Sequence, residues 1–249
     1  MVKELLTFEE VSFAYSSSSP VIERLSFTVF ENEIVAILAK SGSGKSTLFR
    51  LITGLESPDQ GTIVCHAQGK IGYMPQQDLL LPWLTILENV SLPLEIQGKD
   101  KKEAKIIAAS FFNRFGLVGT ESLYPDALSG GMRQRAAFLR ATLTSETLLL
   151  LDEPFASLDS LTKTSMHRWL VSMWEKEKRT LLLVTHDIEE ALLLSDRLFI
   201  FTNQPLHGFT EVQVPPDLRR KMETTEEMEQ HRSSLKKDIR ALLIEESLR

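Results

Sequence analysis

Residues 33–52 read EIVAILAKSGSGKSTLFRLI: a short apolar run, a glycine-rich stretch and a helical pattern in direct succession. No other stretch constrains the fold as tightly. A continuous apolar run of this length is expected for a strand buried on both faces. A glycine-rich turn that then opens a helix points several backbone N–H groups at one spot, and the helix N-terminus adds a field that favours anions. The stretch follows the phosphate-loop pattern G-x-x-x-x-G-K-[ST] at Gly44, Lys45 and Ser46, but Ala39 stands at the first glycine. Phosphate would be touched by Ser41, Gly42, Ser43, Gly44, Lys45, Ser46 and Thr47. Gly42 and Gly44 let the backbone approach, Lys45 brings charge to the β- and γ-phosphates, and the Ser46 hydroxyl suits Mg²⁺. The bland reading is a strand–turn–helix with a solvated lysine; the strand and helix on either side favour the phosphate site. If position 39 needs no positive φ, alanine fits there; we expect Ala39 at φ < 0, with nucleotide binding preserved.

Short apolar strands recur with helical patterns between them. LLTFEEVSFAY (5–15) and VIERLSFTVF (21–30) read as two strands joined by the SSSSP turn, a hairpin-like antiparallel start. The helix KSTLFRLITGL stops at Gly54, and GTIVCH and KIGYMPQ are further strands. Apolar residues recur at three- and four-residue spacing over about 84–143, a helical lobe inserted between strands. TLLLLDEP, RTLLLVTH and RLFIF read as buried strands and DSLTKTSMHRWLVSMWEKEK and DIEEALLLS as helices. The alternation implies an α/β fold with a mostly parallel sheet covered on both faces. We place one domain over 1–215 and a charged helical tail over 216–249, too short to hold a core of its own.

Composition narrows the function classes. The formal net charge is −6, which argues against a nucleic-acid partner, since a duplex binder usually carries a basic face. The single cysteine, Cys65, excludes an intrachain disulfide and sits in a strand-like run, where a buried small apolar residue is expected. The start MVKELLTFEE lacks the apolar core of a secretory signal, and no apolar run approaches the roughly 18 to 20 residues that span a bilayer. Work at a membrane would need another chain to hold this one there.

Two further strings carry chemistry. Asp152 and Glu153 follow a buried strand, where one carboxylate can hold Mg²⁺ and its neighbour can orient or deprotonate an attacking water. Alone, such a pair is more often two solvated carboxylates at a strand end. In ALSGGMRQR (127–135), Ser129 can cap a helix that Gly130 and Gly131 open, making a second anion site. A lone SGG is more often just a helix start; a second phosphate cradle far from the first suggests a nucleotide sandwiched between two copies of the chain.

Over residues 5 to about 205 the chain resembles the ATP-binding subunit of ABC transporters. AKSGSGKST is similar to the family's Walker A except at Ala39, and Gln76 in YMPQQD to its Q-loop. LSGGM (128–132) is similar to its signature, with Met132 where Gln is commoner. LLLLDEP (148–154) matches Walker B with Glu153 as catalytic glutamate, SLD (157–159) matches the D-loop through Asp159, and His186 in VTHD matches the switch histidine. Tyr15 matches the aromatic that stacks on adenine, with Phe13 its rival. The resemblance implies a P-loop NTPase with a RecA-like core, an N-terminal antiparallel β subdomain and an inserted α-helical subdomain. It implies a head-to-tail homodimer that sandwiches two ATP molecules between Walker A of one copy and Ser129 to Gly131 of the other. Glu153 would polarise water, His186 would contact the γ-phosphate, and Ser46, Gln76 and Asp152 would serve Mg²⁺.

The remaining histidines and the tryptophans Trp169 and Trp174 match no motif and are read as surface or packing residues. DLLLPWLTILENV (78–90) reads as lobe packing and also as a groove for a helix of a membrane permease. This segment is similar to that of nitrate/taurine/sulfonate-type importers, and GYMPQQDLLLPW is most similar to subunits importing the thiamine pyrimidine precursor hydroxymethylpyrimidine. That implies a peripheral place on the cytoplasmic face of the cell membrane, with an extracytoplasmic solute-binding protein in the complex. The alternatives are a soluble ABC ATPase of DNA repair or translation, a non-hydrolysing P-loop binding module and a P-loop kinase. The single cassette and negative balance disfavour the first, Glu153 and His186 the second, and LSGGM the third.

Overall fold

A computed structural model describes residues 3–16, 19–40, 42–145, 147–156, 158–221 and 225–245. The chain divides into two compact units, Met1–Gln68 with Lys178–Arg249, and Gly69–Glu177. In chain order the first unit begins with β1 (Glu4–Ala14), β2 (Pro20–Phe30), β3 (Ile34–Ala39), α1 (Lys45–Ile52) and β4 (Gln60–Cys65). The second unit holds β5 (Gly72–Met74), α2 (Ile86–Ile96), α3 (Lys101–Phe112), α4 (Gly130–Thr144), β6 (Leu148–Asp152) and α5 (Ser160–Glu177). The chain returns to the first unit with β7 (Thr180–Thr185), α6 (Ile188–Leu194), β8 (Arg197–Phe201), β9 (Thr210–Gln213) and α7 (Glu226–Glu245).

In the first unit β1 pairs antiparallel with β2 and, on its other edge, with β4. The expected hairpin-like start is therefore two strands of a three-stranded sheet. Beside it, β3 lies between β7 and β8 in parallel register, and β9 closes the β8 edge antiparallel. Every residue of β3 and β7 is buried, as their unbroken apolar runs anticipate. Register matters for the site: Leu38 pairs with Thr185 and Ala39 with Phe201, so β3, β7 and β8 release their chains at one sheet end. That end is where ligands bind in open parallel sheets. Cys65, expected to be buried, is half-buried at the close of β4.

The second unit is larger than the helical block at 84–143, because β5 pairs in parallel with β6 and brings flanking strands into the same body. Helix α2 opens on a capping box formed by Thr85 and Glu88. Trp169 of α5 packs against Phe115 and Phe138, with ring centroids 4.1 and 4.9 Å away. Trp174 and His167 are buried in the same helix, so these residues serve packing.

Among the described residues the tail forms one helix, α7, packed within the first unit. Leu235, Ile239, Leu242 and Leu243 follow helical spacing and pack on a cluster that includes Ile188, Leu192 and Ile200. The approach is anchored by Arg219 and Arg220, both paired with Asp196, which also accepts from the Ile34 N–H at 2.9 Å. Ile239 is fully buried, so Ile239→Ala should cost about 2–4 kcal/mol by leaving a cavity. We expect calorimetry to show a fall in Tm of roughly 5 to 15 °C. An unchanged Tm would show that the helix adds nothing to the fold.

Candidate nucleotide site

Two groups of side chains stand out, one in each unit. In the first unit, β3 runs straight into the glycine-rich loop and α1. Gly44 caps α1 at φ +104°, and a Cβ there would lie 2.5 Å from a Val21 methyl, so this glycine is required on both counts. No side chain caps α1 and no acidic residue stands in its first turn. The positive end of the helix is thus not neutralised locally, which suits an arriving anion. Lys45 is buried; its Nζ donates to the carbonyls of Ala39 at 3.0 Å and Lys40 at 2.6 Å. Its charge is held inside the loop, where phosphate oxygens could replace those carbonyls. Ser43 and Thr47 are buried, Ser46 and Gly42 are exposed, and Ser41 lies outside the described residues.

Ala39 is the last residue of β3, in ladder register with Phe201, and is not among the positive-φ residues. The expected φ < 0 conformation is therefore observed, because the turn of the loop begins only after this position. Ala39→Gly should change the dissociation constant for ATP by less than about threefold, since glycine's extra freedom is not used in a strand. Isothermal titration would check this; a tenfold gain in affinity would show that alanine strains the loop.

Tyr15 and Phe13 separate clearly. Phe13 is buried in the core, whereas the Tyr15 ring is 58% exposed, stands edge-on to Phe13, and shares a 3.3 Å hydrogen bond with Thr47 through its hydroxyl. Tyr15 is the aromatic with a free face beside the loop. His186 leaves β7 directly after Thr185 and is exposed at the sheet end where Ala39 leaves β3. Its position is set on either side: the Asp187 N–H donates to Thr185 Oγ1 at 3.0 Å, and Asp187 Oδ1 caps α6 through the Glu189 N–H at 2.9 Å.

In the second unit, β5 and β6 align Met74 with Leu151, so residues two steps further on come together. Gln76 Nε2 donates to Glu153 Oε2 at 3.2 Å. Asp152 is buried at the end of β6. Glu153 follows at φ +47°, a left-handed conformation costly for a residue with a Cβ and concentrated at functional positions. Ser129 caps α4, accepting from the Met132 N–H at 3.3 Å, and no acidic residue stands in the first turn. A Cβ on Gly131 would lie 3.3 Å from Leu158 and 3.5 Å from Thr162, so the SGG turn and the segment around Asp159 are neighbours. Asp159 is exposed and caps α5, accepting from the N–H groups of Leu161 and Thr162 at 3.1 and 3.0 Å. Hydrogen bonds from Thr162, side chain first, hold its carboxyl below the usual range. Ser157 lies outside the described residues.

Two arginines escaped the sequence reading. Arg133 Nε donates to Asp78 Oδ2 at 3.1 Å, and Arg140 donates to the carbonyls of Asp78 and Leu79 at 2.8 and 2.9 Å. They stand seven residues apart on one face of α4 and pin the stretch that follows Gln76. The signal was their helical spacing opposite a lone aspartate.

Among the described residues no three His, Cys, Asp or Glu side chains form a metal cluster. The ABC transporter family model matches residues 22–156, over half of the chain. This chain belongs to the ABC transporter family. It is 98% identical over 249 residues, all of both chains, to the formylaminopyrimidine import ATP-binding protein ThiZ of Halalkalibacterium halodurans. It is 36% identical over 208 residues to the nitrate import ATP-binding protein NrtD of a Synechocystis species, covering 81% of this chain and 78% of that one. Among solved structures, a dimeric post-hydrolysis state of the ATP-binding cassette MJ0796 bound to ADP and Pi superposes with a TM-score of 0.76 at 27% identity. That match covers 85% of this chain and 99% of the cassette. The fold is thus the α/β P-loop NTPase fold of ABC cassettes. As an ABC cassette the chain binds ATP, and no helix among its described residues is long and apolar enough to cross a membrane.

Proposed function

We propose that this chain is the ATP-hydrolysing subunit of an importer for formylaminopyrimidine. The observation that carries the reading is 98% identity along the whole length of a formylaminopyrimidine import subunit. The expected pyrimidine cargo is kept, with formylaminopyrimidine in place of hydroxymethylpyrimidine; nitrate and sulfonate solutes are the competing cargo.

ATP stacks its adenine on Tyr15 and lays its phosphates on the loop from Ser41 to Thr47, with Lys45 turning to the β- and γ-phosphates. Ser46, Gln76 and Asp152 offer a hydroxyl, an amide oxygen and a carboxylate, the hard oxygen donors that suit Mg²⁺. When bound, Mg²⁺ neutralises phosphate charge. Glu153 takes a proton from water as the water oxygen bonds to the γ-phosphorus and the bond to the β–γ bridging oxygen breaks, leaving ADP and phosphate. His186 positions the γ-phosphate. This is positioning and charge neutralisation, with no covalent intermediate on the chain.

A head-to-tail homodimer completes each site with Ser129, Gly130, Gly131 and Asp159 of the second copy. The exposed Leu161 beside Asp159, 83% accessible, supports a contact there. The dimer sits on the cytoplasmic face of the membrane beneath permease subunits, fed by an extracytoplasmic solute-binding protein. Docking near residues 78–90 is supported by Leu79 and Trp83, which expose 57% and 70% of their surface, and by a cleft of about 320 Å³ lined by Tyr73, Leu81, Leu92 and Ile96. Arg133 and Arg140 tie that segment to α4, whose N-terminus is the SGG turn, a route from permease contact to nucleotide.

Uptake of labelled formylaminopyrimidine by cells carrying the permease tests this reading. Uptake should require this chain and cease with its Glu153→Gln form. Uptake unaffected by loss of the chain, or of a sulfonate instead, would contradict the assigned cargo.

A further inference from the structure

The two loop glycines are held by different means. Gly44 is wedged against Val21 and Leu206: a Cβ there would lie 2.5 Å from a Val21 methyl and 3.6 Å from a Leu206 methyl. Gly42, at φ +77°, would meet nothing within 4 Å even with a Cβ, so no side chain presses on it as Val21 does on Gly44. What reaches it is Gln204, from the loop after β8, whose Nε2 donates to the Gly42 carbonyl at 2.8 Å. In a trans peptide the C=O and the next N–H point in opposite directions. Drawing the Gly42 oxygen out to Gln204 therefore turns the Ser43 N–H inward. There it meets the Lys40 carbonyl at a long 3.3 Å, the same oxygen that holds Lys45 Nζ. The Ser43 N–H and the Lys45 ammonium thus converge on one carbonyl oxygen.

Gln204 is itself well placed to hold. Two residues on, Leu206 is fully buried; its N–H donates to the Val21 carbonyl at 2.9 Å, and its carbonyl accepts from the Glu23 N–H at 2.9 Å. Val21 is the residue against which Gly44 is wedged. The segment starts just beyond Phe201, which pairs with Ala39 at the loop entrance. One short segment, 204–206, therefore braces both glycines of the loop from outside.

We propose that Gln204 is a positioning residue for ATP binding: through the Gly42 carbonyl it keeps the Ser43 N–H turned toward the phosphates. The proposal rests on the reading of residues 41–47 as the phosphate site. It needs a hydrogen-bond donor at position 204, not a particular volume, which separates it from a packing role.

The test compares Gln204→Glu, Gln204→Lys and Lys45→Ala in the full chain, reading kcat and KM for ATP, the dissociation constant of a non-hydrolysable ATP analogue, and Tm. Gln204→Glu keeps the shape but sets an acceptor against an acceptor. It should raise KM and the dissociation constant roughly tenfold, with kcat within about twofold and Tm nearly unchanged. Gln204→Lys restores a donor and should return both constants to within about threefold of the parent chain. Unchanged constants in Gln204→Glu would overturn the proposal. So would equal losses in both Gln204 variants accompanied by a fall in Tm, which would mark a purely structural role. Lys45→Ala reports on the underlying reading: if it binds the analogue as tightly as the parent, residues 41–47 are not the phosphate site and the role of Gln204 falls with it.

Discussion

Lys45→Ala should weaken ATP binding about a hundredfold, read by titration calorimetry. Lys45 is buried at the head of α1, and its ammonium already makes two charge-assisted hydrogen bonds inside the loop. With phosphate in place of the two carbonyls the pairing is charge to charge, and hydrogen bonds to charged groups are worth about 1.5–3 kcal/mol. Because Lys45 is buried, losing such a contact puts the effect near the upper end, about 3 kcal/mol. Truncation also removes the donor to the Ala39 and Lys40 carbonyls, so a fall of a few degrees in Tm should accompany it. The binding experiment belongs well below that Tm, where the folded chain persists. Affinity within threefold of the parent would move phosphate binding away from this loop.

Glu153→Gln should reduce turnover by a factor of about 10² to 10⁴ while leaving ATP affinity within a few fold. The amide keeps the size of the carboxylate and can still meet Gln76, which now donates to Glu153 at 3.2 Å. It cannot accept the proton of the attacking water. The left-handed backbone at Glu153 is unaltered by the exchange, so folding should not suffer. A steady-state phosphate-release assay separates the outcomes. Turnover at the parent rate would remove Glu153 from the chemistry and leave His186 as the remaining candidate for positioning water.

The readable parts of the fold were those where one local pattern had one physical meaning. EIVAIL and LLLL are unbroken apolar runs that read as strands buried on both faces, and the strands they form, β3 and β6, are buried throughout. Ala39 was legible in the same way, because the strand register carries through it before the loop turns. Tyr15 and Phe13 were not separable: two residues apart, they share a face under a period of two. The strand ends at Ala14, which frees Tyr15 while Phe13 stays in the sheet. The tail's helical spacing was visible, but its docking on α6 and β8 depends on Asp196 receiving Arg219 and Arg220, pairings with no sequence signature. The body around the helical lobe extends to Gly69 and Glu177 because β5 and β6 pair across a long stretch of chain. Gln204 was invisible for a related reason: it acts on a main-chain carbonyl 162 residues away, and any donor of that reach would serve.

The same logic bears on pairing between chains. Ser129, Gly130 and Gly131 form a helix start with no acidic residue, next to Leu158 and Thr162 and near the exposed Leu161. If this helix start takes an anion while residues 41–47 hold phosphate, the pair is explained by a nucleotide shared with another copy. Light scattering on the Glu153→Gln chain, with and without Mg-ATP, tests this most directly. The account predicts the mass of one chain without nucleotide and of two chains with ATP, the shift lost when Ser129 is also replaced by Arg. A mass that stays at one chain under saturating ATP would contradict the account.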